Sequence, residues 1–558
     1  MSVWLSAKIE FMMNRLFNNG LLNSKPSHSV VSAAFLITLF GLASRLMGLF
    51  RDRLLASTFG AGDTLDAYYA AFRIPDLIYN LLILGALSAA FIPVFTSLIS
   101  SENEEKAWNL ANGLMNLAII FIIVMSGILC LFSPQLMKLI TPGFSPEKID
   151  HAVTFTRIMF LSPLFLGISG IFGGVLTSFK RFLIYSLAPL FYNLGIIIGI
   201  LILVRFWGPI GLAWGVVLGA ILHMLVQYPA AKNLGFRHSW SIFAHFSNVE
   251  VRKVFRLMIP RTLGIAINQI NLFVITIFAS MLASGSLAIL NFAQNLQGVP
   301  LGIFGASFAI AVFPTLSALH AKKDNKFIEA FSETFRQILF FIIPVSVFLF
   351  LLRAQIVRVV LGAGKFDWED TTLTFQCLGI FAASLFAQSL VPLLARSFYS
   401  MHNTKTPFYI ALISEVVNIL AVITLIGKYK VLGLAIAFSL SSLVQMFLLL
   451  FILRSRLGSL DDRRIINSVL KISLAAFFGG VFVQIFKFLV SKAANLDTFL
   501  GVFAQLSISA AAGLGIFLLV CHLVKLEEYI RFKNSLSRRI FRNKKLALQE
   551  DTSDVSGM

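Results

Sequence analysis

The sequence predicts an all-α polytopic membrane protein, and three observations support this prediction. Hydrophobic residues make up 58% of the 558 residues, charged residues make up 13%, and the mean hydropathy is +0.85. Soluble domains contain about 45–50% apolar and about 25% charged residues. Most of this chain is therefore too apolar to be exposed to water. Sustained alternation of apolar and polar residues, which a transmembrane β-barrel needs, does not occur. The spans are therefore expected to be helices.

Apolar runs long enough to cross a bilayer, about 20 residues each, number about 14. The second is long and is interrupted by Pro75. The predicted spans are residues 30–50, 66–99, 108–134, 151–178, 182–204, 207–231, 257–283, 286–319, 328–352, 370–398, 407–427, 431–453, 466–491 and 498–523.

The order of the spans predicts two pseudo-symmetric six-helix lobes plus two C-terminal helices. The N-lobe covers 30–231, the C-lobe covers 257–453, and the last two spans lie in 454–523. A repeated pattern supports this division, because SRLMG (44–48) and GALSAAFIPVFTSL (85–98) recur as PRTLG (260–264) and GASFAIAVFPTLSAL (305–319). Parallel repeats of this kind occur in transporters that bind their substrate between the two halves.

Three segments outside the spans mix apolar and charged residues. Residues 1–29 place apolar side chains at helical spacing, which predicts a cytoplasmic amphipathic helix on the membrane surface, with a disordered leader as the alternative. Residues 232–256 combine aromatic and basic residues, as an interfacial linker does. Residues 524–558 form a basic cytoplasmic tail, for which a topology signal with lipid-headgroup contact is a sufficient explanation.

The net charge of +20 is explained by topology. If the N-terminus is cytoplasmic, the inside segments hold roughly 27 Lys and Arg residues and the outside loops about 11, as the positive-inside rule requires. An even number of spans then places both termini inside. Binding to nucleic acid is not expected, because that needs a water-facing domain that carries the charge.

Motifs of enzymes and metal sites are absent from the sequence. It contains no HExxH, GxSxG or Walker loop, so we do not expect an enzyme. The three cysteines, Cys130, Cys377 and Cys521, stand singly in apolar stretches, where small buried side chains are the simplest interpretation. We expect neither a cofactor nor a bound metal.

Ionisable residues inside predicted spans are the candidate site. Burying one costs about 2.5–3.5 kcal/mol even on lenient insertion scales, so such residues usually serve a function. We predict that Arg45, Arg51, Asp66, Arg73 and Arg261 line one hydrophilic cavity. Arginine donates paired hydrogen bonds to phosphate and stays charged, so a cationic cavity implies an anionic substrate.

Each of these arginines also has a structural interpretation. Arg51 could extend to the lipid headgroups or pair with Asp52. Arg45 and Arg73 could form structural salt bridges, for example Arg73 with Asp66 or Asp76. Arg261 could anchor the chain at the inner interface.

Glu415 and Asn418 form a second, weaker candidate site. They lie three residues apart in one span and can share a helix face, with oxygen atoms suited to a hard cation. Hydrogen bonding between helices is the interpretation that we favour over a site for a coupling cation.

Several motifs in sequence order resemble the MurJ/MviN family of lipid II flippases, within the multidrug/oligosaccharidyl-lipid/polysaccharide exporter superfamily. They are SRLMGLFRDRLLASTFGAGDTLDAYYAAFRIPDL (44–77), GALSAAFIPVF (85–95), FKRFLIYSLAPLFYN (179–193), FASMLASGSLAIL (278–290) and SFYSMHNTKTP (397–407). The resemblance covers about residues 30–520 and implies fourteen helices in two lobes with alternating access to a central cationic cavity. Arg45, Arg51 and Asp66 match the family pattern, and Arg73 stands where the family has Lys or Arg.

The chain departs from that pattern at several charged positions, which removes some of the family's substrate-holding arginines. Tyr79-Asn80 replaces an Arg-Arg pair, Leu84 replaces an acid, Gln294-Asn295 replaces Asp-Arg, and Gly298 and Val422 each replace an acid. Arg261, the repeat partner of Arg45, could restore positive charge to the second lobe.

The resemblance implies a flippase that carries lipid II, the lipid-linked peptidoglycan precursor, from the inner to the outer leaflet of the bacterial inner membrane. Membrane lipids and the cell-wall synthesis machinery are the other expected partners. Without an ATP-binding motif, transport would depend on an ion gradient or on the membrane potential. Two alternatives stay open: a flippase or exporter for another polyprenyl-pyrophosphate-linked glycan, and a non-transporting membrane scaffold for cell-wall synthesis.

Overall fold

The computed structural model describes residues 30–81, 91–240, 249–322, 324 and 326–534. For residues 30–35, 249, 255–257 and 259–268 it describes the backbone but not the side chains. The predicted amphipathic segment 1–29, most of the predicted tail and residues 241–248 of the predicted linker lie outside the described residues.

Every regular element within these ranges is a helix, which confirms the all-α prediction for the described part of the chain. The elements in the first half are α1 (Val30–Phe59), α2 (Asp63–Ala71), α3 (Arg73–Tyr79), α4 (Ile92–Ser100), α5 (Glu104–Leu131), α6 (Ser133–Ile140), α7 (Pro146–Met159), α8 (Leu161–Ser178), α9 (Phe182–Ile198), α10 (Val204–Trp207) and α11 (Ile210–Asn233). The second half contains α12 (Val249–Ser280), α13 (Ser286–Pro300), α14 (Ser307–Ala321), α15 (Lys326–Leu351), α16 (Arg353–Val360), α17 (Trp368–Ser400), α18 (Lys405–Tyr429), α19 (Val431–Leu457), α20 (Asp462–Ala493) and α21 (Phe499–Leu523).

Eleven helical stretches of the described residues are long and apolar enough to cross a membrane. They coincide with eleven of the predicted spans. The other three predictions, residues 30–50, 66–99 and 257–283, overlap helices that the structure describes only in part. Many large apolar side chains face outward, such as Phe206 and Phe451, which are 77% and 71% exposed. The hydrocarbon of a bilayer would cover this apolar surface, whereas soluble proteins rarely expose apolar patches of this kind to water.

Pro75 interrupts the second predicted span, as the sequence predicts. Proline has no N–H to donate to the carbonyl four residues earlier, which here belongs to Ala71. Helix α2 ends at that residue, and α3 begins at Arg73. The Ala71 carbonyl lies 3.5 Å from the Thr156 hydroxyl of a neighbouring helix, whose nearer acceptor is the Ala152 carbonyl at 2.7 Å.

Glycines allow two helices of the first half to pack closely. A Cβ atom on Gly195 of α9 would lie 2.3 Å from Gly219 of α11, and one on Gly199 would lie 2.5 Å from Gly215. Side chains at these positions would therefore separate the helices. Small residues four apart on each helix allow this close packing.

Two compact units make up the chain, and each is built from two stretches. The first comprises Met1–Phe292 and Val360–Asp370, and the second comprises Ala293–Val359 and Thr371–Met558. The boundary falls within α13. The predicted lobe boundaries at 231 and 257 follow the sequence repeat and stay a prediction.

Within the first unit, residues 360–370 pack against the turn between α1 and α2. The amide of Lys365 donates to the Ser57 carbonyl over 2.9 Å, and the amide of Ala61 donates to Asp370 Oδ2 over 2.8 Å. Gly364 has φ +59°, and a Cβ atom there would lie 2.2 Å from the Ser57 carbonyl oxygen. Only glycine fits both this backbone and this space.

Candidate functional site

Asp66 of α2 lies at the centre of a polar cluster in the first unit. Its side chain is 2% exposed, and Oδ2 accepts a hydrogen bond from Lys148 Nζ over 2.8 Å. Oδ2 also accepts from the amide of Gly285 over 2.7 Å, and Oδ1 accepts from the amide of Ala288 over 2.9 Å. These amides lie at the N-terminal end of α13, where N–H groups lack helical partners and the helix dipole favours an anion. Asp66 therefore ties α2 to the start of α13.

Lys148 at the start of α7 connects this cluster to the adjacent loop. The same Nζ contacts Asp63 Oδ1 at 2.7 Å, and the Ser284 hydroxyl donates to that oxygen over 2.7 Å. The ammonium of Lys148 holds the pKa of Asp63 below its usual value. We call Asp63, Asp66, Lys148, Ser284 and Gly285 the Asp66 cluster. It joins three stretches that are far apart in sequence.

Gly285 makes the cluster possible through its backbone. Its φ is +85°, and a Cβ atom would lie 2.0 Å from the Ala61 carbonyl oxygen. A larger residue would be strained and would push the α12–α13 turn away from Asp66.

Arg73 at the start of α3 is buried, with 8% exposure, and it contacts two other helices. Its Nε donates to Thr276 Oγ1 of α12 over 2.7 Å, and Nη2 lies 3.5 Å from Asn291 Oδ1 of α13. Among the described residues, no carboxylate oxygen lies within the 4.0 Å salt-bridge limit of Arg73. The hydrogen-bond partners of this buried guanidinium are therefore neutral oxygens.

Arg51 near the end of α1 is held by two partners. Its Nη2 and Nε donate to Asp52 Oδ1 over 2.8 and 3.1 Å, and Nη1 donates to Asn193 Oδ1 of α9 over 3.1 Å. Asp52 is buried, with 1% exposure, so the pair is partly shielded from solvent. This arrangement matches the interpretation in which Asp52 pairs with Arg51, and a substrate-binding role for Arg51 stays a prediction.

Arg45 and Arg261 lie on α1 and α12. The Arg45 side chain is exposed on its helix. Arg261 lies within Val249–Ser280, but its side chain is outside the part of the chain that the structure describes. Their common cavity stays a prediction.

Glu415 and Asn418 of α18 are both buried in the second unit, with 7% and 0% exposure. Asn418 Nδ2 donates to Glu415 Oε1 over 3.4 Å, so the two side chains share a face. Across the described residues, no group of three or more His, Cys, Asp or Glu side chains is placed to hold a metal ion. A cation at this pair would need further oxygen ligands from carbonyl groups or water.

No local pattern in the sequence marks Lys148, Asn193, Thr276 or Asn291. Lys148 lies in a predicted loop, and the other three are ordinary polar residues within predicted spans. Each of them hydrogen-bonds to a charged residue that is distant in the sequence. The smallest of these separations, between Lys148 and Asp66, is 82 residues.

Comparison with known proteins assigns the chain to a family. A family model described as "Lipid II flippase MurJ" matches residues 55–503. The chain belongs to the MurJ family. The resemblance indicated by the motifs of the first two spans is thereby confirmed, and the chain is a membrane protein of a family of transporters.

Individual relatives agree with this assignment. The probable lipid II flippase MurJ of Bdellovibrio bacteriovorus is 30% identical over 500 residues, which cover 87% of this chain and 94% of the relative. The probable lipid II flippase MurJ of Rhizobium tropici is 29% identical over 540 residues, which cover 92% of this chain and 97% of the relative.

Solved structures show the same fold. A structure titled "Lipid II flippase MurJ, inward closed conformation" matches with a TM-score of 0.73 and 26% identity, covering 88% of this chain and 98% of that one. An inward-facing multidrug transporter of the MATE family matches with a TM-score of 0.65 and 15% identity, covering 75% and 99%. The second match concerns the fold alone.

Proposed function

We propose that this chain translocates lipid II from the inner to the outer leaflet of the bacterial inner membrane. Membership of the MurJ family over residues 55–503 is the observation that carries the proposal. The arginines of the first two predicted spans supply the chemistry, because a pyrophosphate-linked substrate needs cationic donors and the polyprenyl tail can remain in lipid.

Arg73 is the member of the predicted set best prepared to bind pyrophosphate. Its guanidinium is fixed by Thr276 and Asn291 through Nε and Nη2. Within the described part of the chain, Nη1 donates no hydrogen bond to another residue and can serve a further acceptor. Arg45, Arg51 and Arg261 would add positive charge around it.

The Asp66 cluster would close one end of the transport path. Its contacts join α2, α7 and the start of α13, and breaking them would be costly because Asp66 is nearly inaccessible to water. Separation of Gly285 and Ala288 from Asp66 would open that end, while the two repeats rock about the substrate.

The proposal places both termini in the cytoplasm, because the Lys and Arg residues of the loops follow the positive-inside rule in that orientation. Activity reporters fused after residue 233 and after residue 430 test this. The first fusion should report a cytoplasmic site and the second a periplasmic site, and the reverse result would overturn the orientation.

Catalysis is not part of the proposal, and energy would come from an ion gradient or from the membrane potential. Glu415 with Asn418 is the candidate cation site. If it serves coupling, Glu415→Gln should remove the dependence of transport on the cation gradient. A variant with the wild-type dependence would assign the pair to helix packing.

Lipid II translocation in proteoliposomes is the deciding measurement. Wild-type protein should make fluorescent lipid II accessible on the opposite face, and Arg73→Ala should abolish this while Arg73→Lys retains part of it. Charge reversal at Arg45 or Arg261 should also prevent rescue of flippase-depleted cells, whereas the control Arg205→Glu, at an exposed arginine of α10, should rescue.

The outcomes separate the alternatives. Transport of another polyprenyl-pyrophosphate glycan but not of lipid II would identify a different flippase. Binding of lipid II without transport would favour a scaffold for the cell-wall machinery. Full rescue of flippase-depleted cells by both Arg45→Glu and Arg261→Glu would refute the cationic-cavity model.

A further inference from the structure

A mostly apolar slot lies in the second unit between α15, α17 and α19. Its volume is about 550 Å³, and its apolar lining includes Ile380, Ala383, Leu432, Ile436, Leu440 and Leu443. Phe350 and Leu440 on its rim are 44% and 43% exposed, so the slot opens on the outer surface of these helices. In a membrane protein that surface faces the hydrocarbon of the bilayer.

The polar groups at the base of the slot are occupied within the protein. The Ser384 hydroxyl donates to Ser439 Oγ over 3.0 Å, and Gln388 Nε2 donates to Ser384 Oγ over 2.9 Å. Hydroxyls bonded in this way do not require water, so the slot suits an apolar occupant.

Arg353 lines the slot, and Lys487 of α20 lies just outside the lining, beside the last turn of α15. Arg353 Nη1 donates to the Phe350 carbonyl over 2.7 Å, and Lys487 Nζ donates to the adjacent Leu351 carbonyl over 3.2 Å. The two acceptors are carbonyls of consecutive residues, so the two cations lie near each other. In the described part of the chain, neither cation has a carboxylate oxygen within the 4.0 Å limit. The carbonyl end of α15 holds both cations but does not neutralise them.

Arg353 is positioned by aromatic rings and by a glycine. Its guanidinium carbon lies 4.7 Å from the ring centre of Phe350 and 5.8 Å from that of Phe375. A Cβ atom on Gly379 would lie 2.9 Å from Arg353 Cδ, so the glycine leaves room for this conformation. One of about five N–H donors of the guanidinium is used by the carbonyl, and the others are left for an additional acceptor.

We propose that this slot binds one acyl chain of an anionic phospholipid, whose phosphate accepts hydrogen bonds from Arg353 and Lys487. An apolar slot with Arg353 in its lining and Lys487 beside it is complementary to a lipid with a net negative headgroup. A zwitterionic lipid brings its own cation to the same place and gains less. The site is separate from the arginines of the first two spans, so the proposal does not depend on the transported substrate.

Native mass spectrometry of the purified full-length protein, titrated with phosphatidylglycerol and phosphatidylcholine, tests the proposal. Arg353→Gln and Lys487→Gln should each weaken phosphatidylglycerol binding about fivefold, while phosphatidylcholine binding stays unchanged. Lys492→Gln is the matched control, because Lys492 is on the same helix with its ammonium over the Phe488 ring at 4.4 Å. It should have less than about a twofold effect.

A second variant tests the slot itself. Ala383 is exposed, so Ala383→Trp should fold normally, fill the slot and reduce binding of both lipids. Wild-type affinity in the Arg353→Gln/Lys487→Gln double variant would overturn the proposal, as would an equal effect of Lys492→Gln. Competition by soluble glycerol phosphate at the concentration at which the lipid binds would show an anion site without a lipid slot, which also overturns it.

Discussion

Removal of the Lys148 ammonium should loosen the Asp66 cluster. In Lys148→Met, Asp66 stays buried without its cation, and breaking a buried ion pair in this way costs about 3–5 kcal/mol. The two backbone donors at 2.7 and 2.9 Å remain, so we expect the lower end, about 3 kcal/mol. The contact of Lys148 with Asp63 adds little, because the Asp63 side chain is 66% exposed.

Hydrogen exchange measures this loss directly, because the amides of Gly285 and Ala288 are the groups that Asp66 protects. A change of about 3 kcal/mol corresponds to roughly 100-fold faster exchange when local opening limits the rate. Mass spectrometry of a peptide that contains residues 285–288 gives the rate. Asp63→Asn should accelerate it less than about fivefold.

Two results would refute the reasoning. An unchanged exchange rate in Lys148→Met would mean that the ion pair does not hold the cluster closed. Equal acceleration in Lys138→Met, a change at an exposed lysine of α6, would mean that any loss of charge in this region has the effect. In an Asp66→Asn background, Lys148→Met should have a much smaller effect, because the charge that needs compensation is gone.

Two further predictions concern stability. Arg336→Gln should lower the free energy of unfolding by about 3 kcal/mol, because it leaves the buried carboxylate of Glu528 without its cation. Arg531→Gln, at an exposed ion pair, should lower it by less than about 1 kcal/mol. Thermal unfolding in detergent compares the two variants, and equal shifts of the unfolding temperature would contradict the assignment. Gly285→Ala should reduce the amount of folded protein in the membrane much more than Gly235→Ala. Both glycines have positive φ, but only at Gly285 would the new Cβ atom collide with backbone. Fluorescence-detected size-exclusion chromatography gives the yields, and equal yields would show that the backbone of Ala61 can move away from a Cβ atom at residue 285.

The helical spans could be predicted because a bilayer imposes a strong local rule on sequence. Each span needs about 20 apolar residues, and this rule located eleven helices that the structure describes. The break at Pro75 and the close packing at Gly195 and Gly199 were also predictable, since each follows from the covalent structure of the residue itself.

The partners of the charged residues could not be predicted in the same way. Asp66 and Arg73 are seven residues apart and could share a helix face, which suggested a salt bridge between them. The helix is interrupted between these two residues. Asp66 pairs with Lys148, and Arg73 donates a hydrogen bond to Thr276. Such contacts depend on how distant helices pack, and a single sequence carries no local pattern for that.

The packing of residues 360–370 on the turn between α1 and α2 has a consequence for biosynthesis. The first unit is interrupted by Ala293–Val359, so its last contacts come from a stretch that is made after the first nine predicted spans. Because the ribosome delivers the chain from its N-terminus, the carbonyl of Ser57 and the amide of Ala61 meet their partners only after residue 370 has been synthesised. The N-terminal helices must therefore persist in the membrane as an unfinished assembly until a much later segment completes them.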